Sequence, residues 1–231
     1  MILPQPLIPG KFIRRYKRFF ADIELDSGDV VIAHCPNPGS MLGLLDIGSP
    51  VLISTHDDPR RKLAYSWQLI KVQNTWVGIN TAITNRIVQE ALHGDKIAQL
   101  CGYREIKPEV AWGEHTRFDF LLKKGNELCF VEVKNTTLAE KKVALFPDAI
   151  TKRGTKHLNE LIEVVNQGHR AVMFFLVNRE DCEVFKPASG IDPLYAETLC
   201  QARENGVEIL VYMSKIMPPE IEIDRSIDLG F

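Results

Sequence analysis

The chain has no paired-cysteine motif, no long apolar run, no repeat or low-complexity segment and no large excess of charge. Its five cysteines, Cys35, Cys101, Cys129, Cys182 and Cys200, are widely scattered. Without a CxxC pair neither a zinc site nor a disulfide framework is indicated. That pattern suits a reducing compartment, so a cytoplasmic location is expected. The longest apolar run, Ala171 to Val177, is far short of a membrane span. Near the amino end the apolar residues come first, broken by Pro4, Pro6 and Pro9, and the basic run follows. A signal peptide has the opposite order, and no membrane partner is expected. A net charge of −2 and a pI near 6.3 exclude a protein that coats nucleic acid with its whole surface. Any such binding has to come from a local patch. What remains is an ordinary globular composition, 45% hydrophobic and 25% charged over 231 residues, enough for one large domain or two small ones.

From Phe12 to about Val72 short strands alternate with turn residues, and helical periodicity is weak. The strands read as Arg18 to Leu25, Val30 to His34, Val51 to Ser54, Ala64 to Gln73 and Trp76 to Ile79. Such a run in under about 80 residues suggests a small barrel or sandwich. Its one local patch is Lys11, Arg14, Arg15, Lys17 and Arg18, interleaved with Phe12, Tyr16 and Phe19. Two readings fit: a charged strand edge that discourages aggregation, or a groove that tracks phosphates and stacks bases on aromatic rings. Arg60, Arg61 and Lys62 are placed to extend it across a loop. Trp67 and Trp76 alternate with polar neighbours and read as core. The rigid loop Pro36 to Met41 reads as structural or interdomain, with phosphate contact through backbone N–H groups as the other reading.

The second half alternates helix and strand. Asn85 to Gly94 has helical spacing, with Asn85 as the expected cap, and Glu105 to Trp112 leads as a strand into a hairpin. After the hairpin, Ala139 to Lys142 reads as a polar loop. Thr151 to about Asn166 then forms a helix with Leu158, Leu161, Ile162 and Val165 on its apolar face. Arg153, His157 and Glu160 share another face, either solvated or, for Arg153 and His157, directed at a phosphate or reacting group. Arg170 to Val177 and Val207 to Met213 read as buried strands around a helix from Asp192 to about Asn205. The domain boundary is expected near residues 75–85.

The hairpin carries the chemistry. Arg117 to Leu122 and Glu127 to Lys134 are strands joined by Lys123-Lys124-Gly125-Asn126. Asp119 interrupts an apolar aromatic run, and Glu132 sits between Val131 and Val133. Strand alternation puts Glu132 and Lys134 on one side. If the pairing brings Asp119 level with Glu132, two carboxylates and an ammonium converge. Carboxylates about 4 Å apart repel by roughly 4 kcal/mol at an effective dielectric of about 20. They need a cation, a shared proton or the lysine. Carboxylate oxygens suit Mg²⁺, with Mn²⁺ as a substitute, and a metal beside an ammonium can activate water against a phosphate. The other reading is a hairpin with one wet face.

The order Asp119, then Glu132-Val133-Lys134, resembles the PD-(D/E)xK nuclease superfamily, with Phe118 where a proline often stands. With Arg15-Tyr16-Lys17-Arg18-Phe19, with His34-Cys35-Pro36-Asn37-Pro38-Gly39-Ser40-Met41, and with Phe146 to Leu161, the whole chain resembles the bacterial sugar fermentation stimulation protein A family. The resemblance implies an α/β (mixed α+β) protein. Its N-terminal OB-like β-barrel would occupy residues 1–80 and a three-layer α/β/α PD-(D/E)xK nuclease-like domain residues 81–231. It implies sequence-nonspecific DNA binding with a regulatory role in maltose use. An active metal-dependent nuclease on DNA or RNA is the alternative. Asp119 and Glu132 would ligate the metal and Lys134 would position water. Glu90, or its rival Glu109, would complete the metal shell. Arg14, Arg15, Tyr16, Lys17, Arg18, Arg153 and His157 would contact nucleic acid.

Overall fold

The computed structural model describes residues 1–113 and 116–231. The first six strands are β1 (Leu7–Tyr16), β2 (Phe20–Leu25), β3 (Val30–His34), β4 (Pro50–Thr55), β5 (Tyr65–Val72) and β6 (Thr75–Gly78). They pair in the order β3-β2-β1-β4-β5-β6, and an extra parallel pairing of β3 with β5 closes β1 to β5 into a barrel. Its interior is apolar: Phe12, Ile23, Ile53, Trp67 and Val77 are buried, and Phe12 stacks on Trp67 with centroids 5.1 Å apart. β2 begins at Phe20 rather than Arg18, because Lys17 and Arg18 take left-handed backbone angles (φ 47° and 63°) that end β1 and turn the chain.

A short 3₁₀ turn (Thr81–Ile83), capped by the Asn80 side chain, leads directly into α1 (Thr84–His93). Asn85 therefore lies inside the helix instead of capping it, which frees its amide for another partner. Then come β7 (Glu105–Trp112), β8 (Thr116–Lys124) and β9 (Glu127–Thr136). β10 (Leu138–Glu140) takes up the first half of the expected polar loop, Ala139 to Lys142, and β11 (Val143–Phe146) follows that loop. The remaining elements are α2 (Lys152–Asn166), β12 (Arg170–Val177), β13 (Val184–Pro187), α3 (Pro193–Glu204), β14 (Glu208–Met217), β15 (Glu220–Ser226) and β16 (Asp228–Leu229).

Two sheets build this half. The larger runs β15-β14-β12-β9-β8-β7; the smaller runs β10-β11-β13-β16. β12 lies between two parallel neighbours, β9 and β14, which is why its residues from Ala171 to Val177 are all buried. Alternation sends Val131, Val133, Val172 and Phe174 to a core shared with α1, and Phe130, Met173 and Phe175 to one shared with α2 and α3. The result is a three-layer α/β/α domain. The barrel is not tethered loosely to it: Leu69 is part of the α1-side core, and Leu7, Leu52 and Trp76 pack against it. No helix among the described residues is long and apolar enough to cross a membrane.

Candidate active site

β8 and β9 pair up to Phe120 opposite Val131. One more step sets Asp119 level with Glu132, but there a side chain takes over from the ladder. Asp119 Oδ2 accepts the Val133 backbone N–H at 2.7 Å, while β9 stays paired to β12 on its other edge. Asn85 Nδ2, from α1, donates to Asp119 Oδ1 at 2.7 Å. Burial, and then the charge of Glu132, push the Asp119 carboxyl up to about 6, against the pull of Val133 N–H, Asn85 and Lys134. The two carboxylates thus meet and repel.

Glu132 is only 3% exposed. Its Oε1 receives the Lys134 ammonium at 2.6 Å and is also bonded to His157 Nδ1. Burial alone would raise this carboxyl; the His157 hydrogen bond and the Lys134 charge outweigh it and hold it below the usual carboxylate range. Its other oxygen, Oε2, is buried with no hydrogen-bond partner among the described residues. A buried unsatisfied carboxylate oxygen costs stability unless something fills it.

α2 supplies His157. Thr151 caps this helix by accepting the Gly154 N–H at 3.1 Å. A Cβ on Gly154 would come within 2.8 Å of the Thr151 side chain and 3.0 Å of the Tyr195 ring, so only glycine lets the helix start sit this close. One turn on, His157 is buried, and Arg153 Nε donates to its Nε2 at 3.3 Å. Glu160 is bonded to Thr116 and pairs with Lys156 at 3.5 Å. His157 is therefore the buried centre of a hydrogen-bonded row on α2 whose Arg153 and Lys156 stay exposed.

Asn85, Val133 and Lys134 of this cluster line a cleft of about 540 Å³ between the barrel and the α/β domain, and Asp119, Glu132 and His157 adjoin it through their bonds to those residues. Lys134, Asn135, Asn85 and the segment Phe146 to Thr151 line one side; Arg15, Arg18 and the loop Asn37–Ser40 line the other. That loop is a brace. Arg15 donates to the carbonyls of Asn37, Gly39 and Ser40, at 2.7, 2.9 and 3.2 Å. Ser40 Oγ donates to the Asp148 carbonyl, and Asp148 Oδ2 accepts the Met41 N–H at 2.8 Å. A Cβ on Gly39 would lie 2.8 Å from that same carboxylate, so the approach requires glycine.

The structure brings together Asp119, Glu132, Lys134 and His157, with Arg153 behind the histidine. Glu90 lies elsewhere: it is half exposed and pairs with the Met1 amino group at 2.9 Å, while Asn85 occupies the α1 position beside Asp119. Glu109 sits on an exposed irregularity of β7 and pairs with Arg117 at 3.7 Å. In the basic run only Arg15 and Arg18 reach the cleft, and the guanidinium of Arg15 is committed to the brace. Arg14 pairs with Asp22 at 2.7 Å on the outer barrel face, over the Tyr16 ring; Lys17 is exposed at the turn. Asn85, expected only as a helix cap, anchors Asp119 instead, and Asp148, which had no expected role of its own, holds the brace. The one local hint for Asn85 was a polar residue next to a stripe of Ile87, Val88 and Ala91.

Among the described residues no trio of His, Cys, Asp and Glu is spaced to hold a metal alone. A cation on Asp119 and Glu132 would complete its shell with water or phosphate oxygens, as Mg²⁺ does when held by one or two carboxylates. The unpartnered Glu132 Oε2 and the raised Asp119 carboxyl both fit such an ion.

The comparisons agree with this architecture. Residues 13–79 match the model of the SfsA N-terminal OB domain, and residues 82–220 that of the sugar fermentation stimulation protein RE domain. Sugar fermentation stimulation protein homologues of Geotalea uraniireducens and Geobacter sulfurreducens are 55% and 52% identical over 223 residues, covering 96% of each chain. The homologue of Caulobacter vibrioides is 48% identical over 229 residues, 98% of this chain and 96% of its own. The structure of Pyrococcus furiosus SfsA in complex with Ca²⁺ superposes with a TM-score of 0.91 at 27% identity, over 100% of both chains.

Proposed function

Starting from the sugar fermentation stimulation protein family, to which this chain belongs, we propose that the cleft binds nucleic acid without sequence preference and hydrolyses its phosphodiesters with Mg²⁺. The observation that carries this reading is Glu132: a buried carboxylate with one oxygen fixed by Lys134 and His157 and the other unpartnered, near enough to Asp119 for the two charges to repel. Asp119 and Glu132 would hold the ion. The related Pyrococcus protein is in complex with Ca²⁺, a cation with the same preference for oxygen. When bound, the ion supplies a water of lowered pKa and neutralises charge on the phosphate. The chain's own residues do the rest. Lys134 orients water or a phosphate oxygen from beside Glu132. Val133 N–H and Asn85 keep Asp119 in place, and His157 keeps Glu132 in place. Arg18 offers a cation on the barrel side of the cleft for a neighbouring phosphate.

The test is an assay on single- and double-stranded DNA and RNA with Mg²⁺ or Mn²⁺, with Glu132→Gln run alongside. Cleavage by the parent alone is expected; equal cleavage by both sinks the assignment. A second reading, a non-catalytic DNA-binding regulator, is favoured by the engagement of the Lys134 ammonium with Glu132. It predicts binding, steeply weakened by salt, and no cleavage by either protein.

A further inference from the structure

The cleft wall beside Lys134 carries an amide that is fixed from behind and bare in front. Asn135 is half-buried and follows Lys134 on β9; alternation turns it, with Val131 and Val133, toward the α1 side. Its Oδ1 accepts the Thr84 hydroxyl at 3.2 Å and Asn178 Nδ2 at 3.1 Å. Thr84 opens α1 and Asn178 follows β12, and both are buried. Three further bonds hold Asn178. Its Oδ1 accepts the Ser214 hydroxyl at 3.0 Å, its N–H donates to the Thr136 carbonyl at 2.8 Å, and its carbonyl accepts the Gly78 N–H at 2.9 Å. A Cβ on Gly78 would lie 2.4 Å from Asn178 Nδ2, so β6 of the barrel reaches this post only through glycine.

With Oδ1 tied inward, Nδ2 of Asn135 is left on the other side of the amide. It has no hydrogen-bond partner among the described residues and, unlike Glu132 Oε2, it is not sealed from solvent. An aspartate of the same shape would accept both donors, but it would add a negative charge to a wall that adjoins Asp119 and Glu132. The amide keeps the acceptor and adds two N–H donors facing the cleft. The surroundings favour an anion there. Lys134 and Arg18 line the same cleft; the one acid in its lining, Asp148, has Oδ2 engaged by the Met41 N–H. Two helices also begin at this cleft, α1 at Thr84 and α2 behind Thr151, and their N-terminal ends carry partial positive charge.

We propose that Asn135 Nδ2 donates to one phosphate oxygen of the strand in the cleft and so sets where that strand lies against Lys134 and the two carboxylates. Thr84 and Asn178 hold the amide in the orientation that presents its donors. A phosphate is the same in every sequence, so the contact adds affinity without adding sequence preference. The proposal rests on the cleft being a nucleic-acid site.

The test uses the full chain carrying Glu132→Gln as parent, so that nothing is cut, and short DNA and RNA as single strands and duplexes. The tightest binder is then made with one phosphate at a time replaced by an uncharged methylphosphonate, and anisotropy reads the affinity position by position. At one position the parent should lose about 10- to 100-fold, the worth of a hydrogen bond to a charged group. Adding Asn135→Ala should weaken binding of the unmodified strand by that factor and leave nothing further to lose at that position. Asn135→Asp keeps an acceptor for Thr84 and Asn178 and should reverse the sign there, because a carboxylate meets a neutral group better than a phosphate. Thr84→Val breaks a bond behind the amide but leaves its donors; it should lower the thermal midpoint and keep the parent's profile. A profile for Asn135→Ala identical to the parent's overturns the contact and leaves the cleft standing. So does a loss that is uniform over all positions and matched by Thr84→Val, the mark of a purely structural role. Failure of every nucleic acid to bind overturns both.

Discussion

β9 and β12 run side by side from Cys129 opposite Arg170 to Thr136 opposite Val177, with one polar cluster at the start of this pair and another near its middle. At the starting end everything is matched. Arg170 donates both Nε and Nη2 to the Glu208 carboxylate, Nη1 to Tyr103 at 3.0 Å and Nη2 to the Gln99 carbonyl at 2.8 Å, and Tyr103 donates to Glu127. Three residues further along β9 stands Glu132, with one oxygen doubly bonded and the other bare. A complete network holds structure and asks for nothing more. An incomplete one, more deeply buried, is costly as it stands and gains from a ligand. The difference marks which cluster is the site.

The largest effect should come from removing the charge that is incomplete. Glu132→Gln keeps an acceptor for Lys134 and His157 and places an amide where Oε2 was. Mg²⁺-dependent hydrolysis should fall by at least about 100-fold, while the thermal midpoint of metal-free protein stays level or rises. A drop in that midpoint comparable to a core mutation would mean that Glu132 belongs with the structural cluster.

His157→Ala tests what holds the orphan in position. A group that orients a metal ligand is worth about 10–100-fold in metal affinity or activity. The loss should appear as a higher Mn²⁺ requirement measured by calorimetry, with nucleic-acid affinity unchanged, and His157→Asn should restore part of it. A loss in nucleic-acid affinity alone would make His157 the direct contact that the sequence suggested.

Those two residues also show what the sequence reveals and what it hides. Asp119, Glu132 and Lys134 were legible because each breaks an apolar strand; alternation puts Glu132 and Lys134 on one side, and the hairpin register brings Asp119 to them. α2, α3 and the buried strand β12 were legible from period and caps such as Thr151 and Asp192. His157 looked solvated because its burial is balanced by Glu132, 25 positions away, a partner that no local pattern names. Glu90, with Glu109 as its rival, was expected beside Asp119, but Asn85 stands there; five positions turn a helix by about 140°, and only packing sets which face meets Asp119. β10, β11, β13 and β16 are strands of two to four residues, joined partly in parallel across long sequence gaps. Elements that short carry almost no periodicity.

Titration should separate the two clusters as well. Asp119 has its folded pKa raised to about 6 from 3.8. Its contribution to stability is therefore fully present below about pH 4 and is lost as the pH rises through about 6, in metal-free protein, to the extent of roughly 1–3 kcal/mol. Cation binding needs the ionised form, so Mn²⁺ affinity should climb over the same interval and restore the stability. Denaturant unfolding in EDTA and in Mn²⁺ from pH 4 to 8 reads both. Asp119→Asn should flatten the metal-free profile and abolish the Mn²⁺ effect; an unchanged profile would mean Asp119 is not the group that titrates.

The smallest effect is expected at the satisfied end, and it makes the comparison two-sided. Arg170→Met keeps the aliphatic stem but leaves Glu208 and the Gln99 carbonyl without their donor. Both are partly exposed, so water replaces most of what is lost, and the cost should be about 1–2 kcal/mol in chemical denaturation. Tyr103 still has Glu127. Hydrolysis and Mn²⁺ affinity should not change, because β9 is anchored between β8 and β12 from residue 129 onward, independently of Arg170. If Arg170→Met weakened Mn²⁺ binding as much as His157→Ala does, the two clusters would be coupled through β9. The bare oxygen of Glu132 would then owe its position to the whole strand and not to Lys134 and His157, the two side chains that hold the other oxygen.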